Sequence, residues 1–177
     1  MLLKAAADSS NRELNRMSAP AKAAGNIAEP TQWPAILRET VLEVFSTMVG
    51  VRVAFPDYSI LPPAAGITAM VGIAGPLSAT VTLRCTLQSA SSIASHMLSV
   101  PVEEASAQKS DALGEICNIV AGYFKAKIGH GESCVLSVPT VVAGTNYRIC
   151  SQREELRTKV PLLYEGEPAL ISLDIKP

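Results

Sequence analysis

Residues 111–122 read DALGEICNIVAG. Leu113, Ile116, Cys117 and Val120, with Phe124 just beyond, recur at helical spacing and predict an amphipathic helix with its apolar face turned inward. The opposite face is built differently. At about 100° per residue, Asp111, Glu115, Asn118 and Gly122 fall within a stripe roughly 60° wide. Asn and Gly are poor helix formers, and packing does not ask for them on a solvated face. Gly122 removes a side chain and lets another surface come close. Glu115 offers a carboxylate to a basic group, and Asn118 an amide that donates and accepts at once. A plain solvated face is the competing reading, because exposed charges are ordinary.

The rest of the sequence offers no rival site. It contains no GxSxG, Walker loop, HExxH or paired-cysteine ladder. The GHGES turn is glycine-rich but ends a helix rather than opening one, so it does not predict a phosphate cradle, and His130 suits the dipole at a helix C-terminus. Cys85, Cys117, Cys134 and Cys150 form no CxxC pair, and neither they nor His96 and His130 have zinc spacing. No metal site is expected, and all four cysteines read as reduced thiols of a cytoplasmic protein. Fifteen basic residues against 16 acidic ones give a net charge of -1, and 5% of residues are aromatic. That balance argues against nucleic acid as a partner. Neither a signal peptide nor a membrane span is expected from the opening MLLK or from any later apolar run.

With 177 residues, 48% of them hydrophobic, the chain can bury one domain's core. Residues 1–30 lack a sustained apolar period and read as a flexible tail, with a short helix over NRELNRM. The domain is assigned to 31–177. Pro34 suits the first turn of a helix running to Val49 with Gly50 as its stop, and VRVAF (51–55) reads as a strand. FPDYSILPPAAG is a proline-punctuated loop. ITAMVGIAGPLSATVTLR predicts a hairpin in which Leu77, Ala79, Val81 and Leu83 share a face. A short helix follows over LQSASSIASHML, and Pro101 opens a long one over 102–128. SCVLSVPTVVAG and an irregular TNYRICSQREEL precede a second hairpin, TKVPLLYEGEPALISLDIK, in which Ala169, Ile171, Leu173 and Ile175 share a face. Hairpins mean antiparallel pairing, so the expected class is α+β, with helices covering a mostly antiparallel sheet.

An internal repeat is also visible. At an offset of 72 residues, ETVLEVFSTMVG (39–50) aligns with DALGEICNIVAG (111–122). Glu39 meets Asp111, Glu43 meets Glu115, Ser46 meets Asn118 and Gly50 meets Gly122. The apolar positions match as well, and each helix is followed by a hairpin with a Gly and Pro turn. Two helix-plus-hairpin halves related by a pseudo-twofold explain this economically. Chance competes, because any two amphipathic helices share a period.

The stripe resembles the signature helix of the chemotaxis phosphatases CheC, CheX and FliY: Asp or Ser, three residues, Glu, two residues, Asn. VPTVVAG (138–144) is similar to the segment that follows that helix in CheX, including its proline, here Pro139. LRETVLEVFSTMVGV is similar to the CheX opening helix. The resemblance covers about residues 33–176 and implies a pseudo-symmetric CheX/CheC-like domain that forms homodimers through sheet edges. It implies a phosphatase that acts on the phospho-aspartate of a CheY-like response regulator in two-component signalling. The regulator supplies Mg²⁺, and this chain binds no cofactor. Glu115 and Asn118 would then be catalytic, Asn118 orienting the attacking water and Glu115 pairing with the regulator's lysine. Asp111 and Gly122 would belong to the partner-binding surface. Ser46 cannot present an amide, so the first helix would be inactive, as in CheX rather than CheC. The alternative is a non-catalytic relative that docks a regulator or flagellar component.

Overall fold

The structure, a computed structural model, describes residues 28–56, 65–145, 147, 149 and 156–175. Most of the expected tail, the proline-rich loop 57–64 and most of the irregular stretch before the second hairpin lie outside the described residues. Helix α1, Trp33–Val44, has Pro34 in its first turn and buries Trp33, Leu37, Thr40, Val41 and Val44. This is the spacing that places one stripe on the core. The helix continues as a π-helical turn, Phe45–Val49, and stops at Gly50, whose φ of 73° is a left-handed conformation that glycine adopts without strain. The sequence predicts the stop but not the widening. At the widening, the Thr47 hydroxyl donates to the Glu43 carbonyl at 2.7 Å, competing with the backbone for that acceptor.

The predicted hairpins form the sheet. Strands β1 (Ala65–Ala74) and β2 (Ala79–Cys85) pair antiparallel, as do β5 (Leu156–Tyr164) and β6 (Glu167–Ile175). β2 pairs with β6, so the order β1-β2-β6-β5 is symmetric about the central pair. That is the arrangement a pseudo-twofold between halves requires. Strands β3 (Val135–Leu136) and β4 (Thr140–Thr145) both pair with the free side of β1 and, among the described residues, have no counterpart strand beyond β5. The alternation predicted from sequence holds: Ala79, Val81 and Leu83 of β2 and Ala169, Ile171 and Leu173 of β6 are buried.

Among the described residues three further α-helical segments follow β2: α2 (Leu87–Leu98), the single turn α3 (Val102–Ala105) and α4 (Lys109–Lys127). α4 lies on β1 and β2 and contacts α1 and α2. Its Leu113, Ile116, Cys117, Val120 and Phe124 are fully buried. The Phe124 ring meets Trp33 edge-on at 6.1 Å between centroids. Burial pushes the Cys117 thiol up to about 12, so it packs as a small apolar group.

Two expectations fail. The stretch 51–55 is not a strand: it makes one bridge, in which Ala54 and Leu163 exchange both backbone hydrogen bonds at 3.0 and 2.8 Å. Extending that ladder away from the Glu165 turn would place Pro56 opposite Pro161, and neither residue has an N–H to donate. The long helix over 102–128 is broken. A 3₁₀ turn, Ser106–Gln108, separates α3 from α4, and the Lys109 ammonium takes the Ser106 carbonyl at 2.7 Å. Ala105 is thereby packed with Ala94 and Ala112.

Because Phe124 joins α4 to α1 through Trp33, Phe124→Ala should cost about 3–5 kcal/mol. Urea unfolding followed by circular dichroism measures this, and a loss below about 1 kcal/mol would contradict the packing described.

Candidate functional site

The inward face of α4 fixes what its outward face presents. Asp111 is exposed in the first helical turn, where a carboxylate suits the positive end of the helix dipole. Glu115 is exposed, and Asn118 and Gly122 are partly exposed. Neither Glu115 nor Asn118 makes a side-chain hydrogen bond or ion pair with any described residue. On one face of one helix the chain therefore holds a carboxylate and a carboxamide whose bonding capacity is unspent. The four stripe residues predicted from sequence lie on that face together.

A wall runs beside the stripe. Ile73 pairs with Leu136 and Met70 with Thr140, so β1 advances three residues while the opposing edge advances four. The extra residue is a β-bulge between β3 and β4. Ser137 holds it to β1: its N–H donates to the Gly72 carbonyl at 2.9 Å, and its hydroxyl accepts from the Gly72 N–H at 2.9 Å. Pro139, which cannot continue the ladder, rests on α4 at Gly114. A Cβ at Gly114 would stand 3.3 Å from the Pro139 Cβ, so glycine is what allows this approach. Gly122 faces Leu136, whose Cδ1 would lie 3.8 Å from an added Cβ. The surface that comes close at Gly122 thus includes the chain's own edge strand.

The matching stripe on α1 is spent. Lys127, near the end of α4, places its ammonium 2.9 Å from Glu39 Oε1 and 2.9 Å from Glu43 Oε2. Burial pulls the Lys127 ammonium down, but the hydrogen bonds and charges of Glu43 and Glu39 outweigh it and hold the group above the usual lysine range. The Ser46 hydroxyl turns back to the Glu43 carbonyl at 3.4 Å, inside the π-helical turn. Glu43, the counterpart of Glu115, is therefore engaged, and Ser46, the counterpart of Asn118, is short and locally bonded. Sequence reasoning missed Lys127. The one available signal was Glu39 and Glu43 standing four residues apart, which puts two carboxylates side by side and calls for a cation.

Among the described residues no helix is long and apolar enough to cross a membrane. No curated protein matches the sequence. Among solved structures, the fold is similar to a CheC-like superfamily protein from Shewanella sp. PV-4, at 20% identity and a TM-score of 0.69 over 84% of this chain and 100% of that one. It is also similar to a chemotaxis protein CheX from Desulfovibrio desulfuricans, at 18% identity and a TM-score of 0.67 over 82% and 99%. A third likeness is to the CheX–CheY–BeF3–Mg²⁺ complex from Borrelia burgdorferi, at 20% identity and a TM-score of 0.65 over 82% and 98%. The family model described as chemotaxis phosphatase CheX matches residues 67–163, a span that takes in α4, the bulge and most of the sheet. With more than half of its length matched, this chain belongs to the CheX family of chemotaxis phosphatases.

Proposed function

We propose that the chain hydrolyses the phospho-aspartate of a CheY-like response regulator, using the α4 stripe inserted at the regulator's own active site. The observation that carries this reading is the pair Glu115 and Asn118, outward on one helix and without an intramolecular partner. The Borrelia burgdorferi complex, in which a CheX of similar fold is seated with CheY, BeF3 and Mg²⁺, supports a regulator as the partner. An acyl phosphate is already reactive, and the regulator would bring the Mg²⁺ that neutralises it. The contribution left to this chain is positioning. The Asn118 amide would hold a water in line with the phosphorus through its donor and acceptor, and Glu115 would pair with a regulator lysine and fix the approach. No nucleophile is needed from this chain, in keeping with Cys117, whose thiol stays protonated in the core. Asp111 and Gly122 lie at the ends of the same surface.

One helix would act, not two. Glu43 serves Lys127, and Ser46 offers no amide. A homodimer through a sheet edge would complete the assembly. The outer side of β5 carries only the Ala54 bridge among the described residues, and open edges are ordinarily paired or protected.

Asn118→Ala should lower the catalysed rate of phosphate loss from a phosphorylated receiver by about 10²-fold or more, while leaving the circular dichroism spectrum unchanged. If wild-type protein binds a receiver but never speeds its dephosphorylation, the non-catalytic docking module is correct instead. Glu115→Ala should weaken receiver binding in a salt-sensitive way. The Glu43→Ala/Ser46→Ala variant should keep activity within about twofold of wild type, with up to about 1 kcal/mol of stability lost from the Lys127 pairs. Equal damage from the two helices would mean that both act. Light scattering at micromolar concentration should give twice the chain mass, and a clean monomer would remove the dimer.

A further inference from the structure

Thr82, Ser172 and Asp174 are buried on the side of the sheet that faces away from the helices. The strand pairing brings them together. Residues directly opposite in an antiparallel pair share a face, as do residues two apart on one strand. Lys159 of β5 stands opposite Ser172 of β6, which stands opposite Thr82 of β2. One step to one side, Arg157 stands opposite Asp174. One step to the other, Arg84 stands opposite Thr68 of β1. These side chains, with Tyr147 bonded to Thr68, line one cavity of about 200 Å³.

The cavity is rich in donors and poor in acceptors. The Thr82 and Ser172 hydroxyls lie 2.6 Å apart, and those of Thr68 and Tyr147 also lie 2.6 Å apart. A hydroxyl has one proton to give, so each pair uses one of its two protons and keeps the other. Among the described residues none of the four makes a further hydrogen bond, and the Lys159 ammonium has neither a hydrogen bond nor an ion pair. The carboxylate in this lining, Asp174, is taken by the Arg157 guanidinium. Arg84 and Arg157 make other interactions besides, so the donors left to a ligand are counted without them. Two hydroxyl protons from the pairs and one ammonium remain, and buried donors need acceptors.

We propose that this cavity binds a small phosphate-bearing ligand, either free orthophosphate or a small phosphate monoester. At ~30 Å³ per water the cavity has the volume of about seven waters, room for a phosphate group and a few atoms more but not for a nucleotide. Donors that come from the floor of the cavity and from its rim suit a tetrahedral oxyanion, whose oxygens point in four directions, over a planar carboxylate. A phosphate group also carries a charge of about -1.5 to -2 near neutral pH, against -1 for a carboxylate. The site lies across the sheet from α4, and it does not rest on the phosphatase reading.

The test is calorimetric titration of full-length protein, in phosphate-free buffer at low salt, with orthophosphate, glycerol 3-phosphate, acetate and AMP. Orthophosphate or glycerol 3-phosphate should bind one per chain with a Kd of about 1 mM or tighter. The tighter of the two assigns the source, and either supports the proposal. Lys159→Met should weaken that binding by about fivefold or more. Because Lys159 is exposed, this variant should unfold at the wild-type temperature. Thr82→Val/Ser172→Ala removes both partners of one pair and leaves neither orphaned, so it should fold as wild type while losing about tenfold in affinity. The proposal is overturned if neither phosphate probe saturates below about 10 mM. It is also overturned if either folded variant binds like wild type, which places the ligand elsewhere. Acetate binding as tightly as the phosphate probes, or AMP binding more tightly, overturns the ligand class.

Discussion

Everything the molecule presents to a partner depends on the burial of one face of α4. Leu113, Ile116, Cys117, Val120 and Phe124 have no exposed surface, and together they lock the rotation of the helix on β1 and β2. Rotating it by one residue would bring Asp111, Glu115 or Asn118 toward the sheet, where an unpaired carboxylate or amide is costly. The hydrophobic register thus aims the polar stripe. Cys117 shows how tightly this is done: its sulfur sits 3.6 Å from the carbonyl oxygens of both Ala69 and Val81, one on each strand beneath the helix.

The sheet below carries the symmetry and also its breakage. β2 and β6 pair at the centre with Thr82 and Ser172 hydroxyls 2.6 Å apart, and each hairpin lays its first strand outside its second. The β3–β4 edge is added on one side alone, and it is the side along which the Glu115 and Asn118 helix runs. Among the described residues, a fold with two similar halves thereby gains a strand wall beside one helix and not the other. The difference between the halves is visible in backbone as well as in side chains, since the α1 stripe ends in a π-helical turn while α4 stays regular through Lys127.

What could be read from the sequence was whatever a short stretch decides for itself. The period of α4, the stop at Gly50, the two hairpins and the stripe of Asp111, Glu115, Asn118 and Gly122 all follow from local spacing. The failures come from residues distant in the chain. Nothing near 51–55 says that its would-be partner carries Pro161 opposite Pro56. Nothing near Glu43 says that Lys127 will arrive there. Alternation placed Thr82, Ser172 and Asp174 away from the helices but could not show that they would be buried nonetheless. On that face the Tyr147 hydroxyl lies 2.6 Å from that of Thr68, and the Arg84 guanidinium sits 5.0 Å above the Tyr147 ring. The proline in SVPTVVAG marked an irregularity in the edge, while its resting place on Gly114 required the helix and the strand to be seen together.

The Lys127 clamp bears on how such a molecule can change. An unspent carboxylate and carboxamide on α1 would need more than an asparagine at position 46. Glu43 would have to be released from Lys127, a residue carried by the very helix that bears Glu115 and Asn118. Freeing it would leave Lys127 its pair with Glu39, at a cost of up to about 1 kcal/mol to the join between α1 and α4. The asymmetry between the halves is therefore held from both helices: a change at position 46 alone does not give α1 a stripe like that of α4.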